Sequence, residues 1–122
     1  MTKKERAKVN GEVFTPEWLV EEMLDQLPEE MWEHNKTFLD PAGGDGNLIV
    51  GALKRKIEKG IDPTNALMTC YAVELEQDNR DKMVERLIEV AGDTPEHRAI
   101  VDANVVCANS LEYDWSLLGG PK

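Results

Sequence analysis

A chain of 122 residues has the length for one domain with one modest core. Twenty-four acidic residues against fourteen Lys and Arg leave a formal net charge of −10, which disfavours a nucleic-acid backbone as a direct partner unless the bases are clustered. No apolar run is long enough to cross a bilayer, and the charged start MTKKERAKVNGE does not read as a secretory leader.

Residues 1–12 read as a flexible arm carrying Lys3, Lys4, Arg6 and Lys8. A helix is expected from Thr15-Pro16-Glu17, with Thr15 as cap, Pro16 in the first turn and Glu17 at the positive end of the dipole. Its inward side chains are expected to be Trp18, Leu19, Met23, Leu24 and Leu27. Pro28 stops or kinks it, and PEEMWEHN reads as a further helical turn or two. Thr37-Phe38-Leu39 reads as a short strand. Asn47 to Lys59 is a predicted helix with Leu48, Ile49, Ala52, Leu53 and Ile57 inward and Gly60 as its stop. The cluster Lys54, Arg55 and Lys56 is expected on its wet face. LMTCYAVEL, 67–75, reads as a second strand, and Glu76 to Ala91 as a helix with Met83, Leu87, Ile88 and Ala91 inward. Thr94-Pro95-Glu96 opens another short helical piece, and NVVCA, 104–108, reads as a third strand. Strands alternating with helices imply an α/β fold with parallel strands joined by right-handed crossovers. Cys70 and Cys107 are expected as buried, reduced thiols, and no Cys/His spacing suits a zinc ion. His34 and His97, each among acids, read as surface residues.

Such folds bind ligands at the carboxyl ends of their strands. There the first strand runs into DPAGGDGN, 40–47, where glycines permit a sharp turn and a close approach of ligand to main chain. This is not the dinucleotide fingerprint GxGxxG, since Ile49 holds the third glycine position, and a plain strand-to-helix turn is the simpler alternative. Glu74, at the end of the second strand, could accept hydrogen bonds from ribose hydroxyls. Asn109 and Ser110, after the third strand, could reach an adenine edge.

Taken together, these segments resemble the S-adenosylmethionine-dependent DNA adenine-N6 methyltransferases. VFTPEWLVEEML looks like motif X, DPAGGDGNLIV like motif I, YAVELEQDN like motif II and VVCANSLEYDW like motif III, so the resemblance covers residues 11 to about 115. It implies a Rossmann-like methyltransferase fold of three layers with a parallel sheet, truncated to about three strands with flanking helices. The division it implies is the arm at 1–12, a cofactor-binding domain at 13–115 and a tail at 116–122. It implies S-adenosylmethionine as cofactor, with Asp40 on the methionine amino group and Pro41, Ala42, Gly43, Gly44, Gly46 and Asn47 forming the turn beneath the ligand. Phe14, Thr15 and Pro16 would close over the methionine end, Glu74 and Leu75 would hold the ribose, and Asn109 and Ser110 would face the adenine. Asn109 stands where the family more often has Asp, and Gly43 where it more often has Cys or Ala.

The family's chemistry lies one motif later, in a (N/D/S)PP(Y/F/W) tetrapeptide that orients the flipped base. These 122 residues contain no such tetrapeptide, and GGPK does not replace it. No catalytic residue is therefore assigned. The expectation is a cofactor-binding chain in the cytoplasm of a bacterial or phage-infected cell. Its partner would be a second methyltransferase subunit or another copy of itself; DNA would be engaged only indirectly, and membrane not at all. Two alternatives stand beside it: a non-catalytic remnant that binds S-adenosylmethionine, and an acidic decoy that mimics DNA charge.

Overall fold

The computed structural model describes residues 15–41, 44, 46–109, 111 and 112. Their elements run α1 (Glu17–Asp25), α2 (Glu29–Glu33), β1 (Phe38–Asp40), α3 (Asn47–Glu58), α4 (Pro63–Met68), β2 (Cys70–Glu74), α5 (Gln77–Ala91), α6 (Pro95–Asn104) and β3 (Val105–Cys107). The three strands form one parallel sheet in the order β1-β2-β3. Phe38 lies opposite Cys70, Asp40 opposite Ala72, and Glu74 opposite Cys107. The expected α/β class with flanking helices is therefore present. Among the described residues no helix is long and apolar enough to cross a membrane.

Strand side chains alternate between faces. Phe38, Cys70, Ala72 and Val105 join one core with Val20, Leu24, Ile49, Leu53, Met83, Leu87 and Val101 from the helices. Leu39, Tyr71, Val73 and Val106 point to the opposite face and are not in that core. Leu39 is 42% exposed there, although Val73 is fully buried. The described helices thus form one layer on the sheet. A second helical layer, as the three-layer expectation requires, is not found among the described residues.

Several boundaries differ from the sequence reading. Thr15 does not cap α1: Pro16 takes the N-cap position and makes no side-chain cap bond. The buried side chains of α1 are Val20 and Leu24, while Trp18 is 66% exposed and Met23 also exposed. The reason is α3. A Cβ on Gly51 would lie 2.7 Å from Val20 Cγ1 and 3.2 Å from Leu24 Cδ1, so the bare glycine draws that stripe of α1 inward. Leu67 and Met68 belong to the helix α4, not to the second strand. Asp62 caps that helix by accepting from Thr64 N and Asn65 N, with Pro63 in the first turn. β1 and β3 are each displaced from the expected ranges, and Asn104 closes α6 instead of opening a strand. Thr94 does cap α6, through its hydroxyl and His97 N at 3.0 Å.

Lys56 is the largest departure. It was expected on a wet face, yet it is fully buried at the amino-terminal end of the sheet. Its ammonium donates to Asn35 Oδ1 (3.0 Å), Thr69 Oγ1 (2.7 Å) and the Lys36 carbonyl. Three donors meet three neutral acceptors, which is what permits the burial. Desolvation still holds its pKa below the ordinary lysine value. Arg55, from the same cluster, turns back to Glu21 and Asp25, each at 2.7 Å, and lies 5.6 Å over the Trp32 ring. His97 is also buried, between Thr64 Oγ1 (2.8 Å) and the Gly92 carbonyl (2.9 Å). Cys70 is buried as expected, and burial pushes its thiol up to about 11, whereas Cys107 is exposed. β3 ends at Cys107, where only one face of the strand is covered.

Candidate functional site

Asp40 and Glu74 stand at the carboxyl ends of adjacent parallel strands and point to the helical side of the sheet. Both are nearly inaccessible, at 5% and 4% exposure. Buried carboxylates require donors, and for Glu74 these come from three places. Gly44 N donates to Oε1 at 3.0 Å, across thirty residues of sequence. Glu76 N and Asn79 Nδ2 donate to Oε2, each at 3.0 Å. Glu74 therefore ties the glycine turn to the first turn of α5. A carboxylate offers about four lone-pair positions; with two bonds at Oε2 and one at Oε1, the remaining position is on Oε1.

The turn itself is shaped by Gly46. Its φ is +93°, a left-handed conformation, and it is the N-cap of α3. A Cβ there would sit 2.8 Å from Met83 Cγ, so any larger residue would push α3 off α5. Next to it, Asn47 joins two further segments. Its amide donates to the Thr15 carbonyl at 2.6 Å and its Oδ1 accepts from Arg86 Nη1 at 2.8 Å. The segment before α1 is thereby held against the glycine turn. Asn47 also lines a groove of about 340 Å³ between α1, α3 and α5, with Trp18, Val50, Lys54 and Arg86.

The sequence-predicted residues divide as follows. Gly44, Glu74 and the turn residue Gly46 come together, and Thr15 joins them through Asn47. Pro16 and Pro41 are exposed, as is Leu75 at 45%. Asn109 is exposed just beyond β3; its side chain accepts from Leu111 N at 3.0 Å, closing a local turn. No contact joins Asn109 to Glu74 among the printed bonds of Glu74, although Ala108 N continues the ladder to the Glu74 carbonyl at 2.9 Å. Phe14, Ala42, Gly43 and Ser110 lie outside the described residues. Asn79, fully buried, was missed. It is four residues before Met83 and eight before Leu87, so continuing the helical spacing one step towards the amino terminus would have found it.

Chemically, this arrangement accepts hydrogen bonds from hydroxyl or amine donors and allows close approach to main chain. Among the described residues no group of three His, Cys, Asp or Glu side chains is placed to hold a metal ion. Comparison with protein-family models, with curated proteins and with solved structures finds no match.

Proposed function

We propose that this chain is the S-adenosylmethionine-binding half of a DNA adenine-N6 methyltransferase-like protein, a Rossmann-like methyltransferase fold shortened to about three strands. Methyl transfer then needs a partner chain that carries the (N/D/S)PP(Y/F/W) segment. In this reading Asp40 receives the methionine amino group through a charge-assisted bond. Glu74 takes ribose, Asn109 and Ser110 face adenine, and Phe14, Thr15 and Pro16 close over the methionine end. The bound cofactor supplies an electrophilic sulfonium methyl. The residues of this chain bind and orient it.

One observation carries the reading: the bond from Gly44 N to Glu74 Oε1 at 3.0 Å. It unites the DPAGGDGN turn with the second strand's acid, at the strand ends where α/β sheets take ligands. The exposed apolar face at Leu39, with half-buried Tyr71 and Val106 beside it, supports a covering partner. The decoy alternative fares worse. Its acids would need to stand in one uncompensated array, yet Glu29, Glu30 and Glu85 pair with Lys59, Lys36 and Arg98.

Calorimetric titration with S-adenosylmethionine tests the proposal. Saturable binding is expected, weakened about tenfold or more in Asp40→Ala, which is roughly 1.4 kcal/mol. No binding by a folded wild-type protein would refute it.

A further inference from the structure

We infer that Glu74 holds its ligand through a single hydroxyl, so that the site distinguishes the two hydroxyls of a ribose sharply. The inference rests on the nucleoside reading above, and it follows from where the internal donors fall. A free carboxylate can take two vicinal hydroxyls at once, one on each oxygen. Here Oε2 already accepts two bonds, from Glu76 N and from the amide of Asn79, which is itself fully buried. It has no further lone pair to offer. Oε1 accepts only from Gly44 N, which leaves it one position.

A two-hydroxyl grip would require removing one of the three donors. Asn79 and Glu76 belong to the start of α5, packed by Met83 and Leu87 into the core. Gly44 N is the easier to displace, but a buried N–H left without an acceptor loses about as much as a second hydroxyl bond to a charged group contributes. The exchange has no net driving force, and the arrangement with three internal donors and one ligand hydroxyl persists. Asn79 is then a positioning residue. With Glu76 N it holds Oε2 inward and turns Oε1 towards the glycine turn.

The test is a calorimetric comparison of S-adenosylhomocysteine with its 2′-deoxy and 3′-deoxy analogues. One deoxy analogue is expected to bind about tenfold or more weaker than the parent, as for loss of one hydrogen bond to a charged group. The other is expected to stay within about threefold, a difference below that of such a bond. In Glu74→Ala, with folding checked by circular dichroism, the gap between the analogues should close. Equal losses for both analogues, or no loss for either, would overturn the inference while leaving the cofactor reading intact. So would a gap that survives in Glu74→Ala. Failure of the parent to bind folded wild-type protein would remove the cofactor reading and this inference with it.

Discussion

Replacing Glu74 by Gln keeps shape and volume and changes only the charge and one acceptor. Two donors, Glu76 N and Asn79 Nδ2, face Oε2, and one, Gly44 N, faces Oε1. The amide therefore keeps its carbonyl on the Oε2 side, where it satisfies two bonds. Its NH2 must then face Gly44 N at a spacing of about 3.0 Å, donor against donor. One bond to a charged acceptor is lost, at about 1.5–3 kcal/mol, and the two that remain become neutral and weaker. The expected total is about 2–4 kcal/mol, a large part of the roughly 5–15 kcal/mol that stabilises a domain. Urea unfolding should show a lower midpoint with an unchanged slope. Amide hydrogen exchange at Gly44 should accelerate, because its acceptor is gone. A stability loss under about 0.5 kcal/mol, with Gly44 exchange unchanged, would refute the reasoning and mean that the contact does not hold the turn.

Gly51→Ala should destabilise by about 1–3 kcal/mol, since its methyl would meet Val20 Cγ1 at 2.7 Å; Val20→Ala in the same chain should recover part of that loss, as read by thermal unfolding. Thiol labelling near neutral pH should modify Cys107 in the folded protein and reach Cys70 only on unfolding, because Cys70 is buried and Cys107 exposed. Cys70 also gives a pH dependence with a definite sign. Its folded pKa, about 11, lies above the unfolded value near 9.0, so its contribution is complete below pH 9.0 and is lost as pH rises towards 11. Cys70→Ala should therefore gain on the wild type across that window, by up to about 3 kcal/mol, in urea midpoints measured at each pH.

The long helices were legible because α3 and α5 carry apolar residues at helical spacing over three turns or more. The second strand was not, because Ala66 to Val73 has no glycine, proline or charge to separate the end of α4 from the start of β2. The signal that could have divided it is Asp62-Pro63, a cap followed by a first-turn proline. Trp18 misled for another reason. A large apolar side chain fits the inward pattern, but only packing decides which stripe of α1 meets Gly51. Lys56 and His97 are buried on partners 13 to 33 residues away, such as Thr69 and Thr64, so no local window reports their burial. Of the candidate site, the acids and glycines were legible as strand-end residues. The bonds from Gly44 and Asn79 to Glu74 were not, because they join segments by tertiary contact alone.

The most direct test of the central claim is a two-dimensional amide NMR titration of 15N-labelled protein with S-adenosylhomocysteine. The strand-end account predicts shifts at Gly44, Gly46, Glu76, Ala108 and the Asn79 side-chain amide. It predicts none at Asn35, Lys56 and Thr69, which sit at the other end of the sheet. Shifts confined to that other end, or none at saturating ligand in a folded protein, would contradict it.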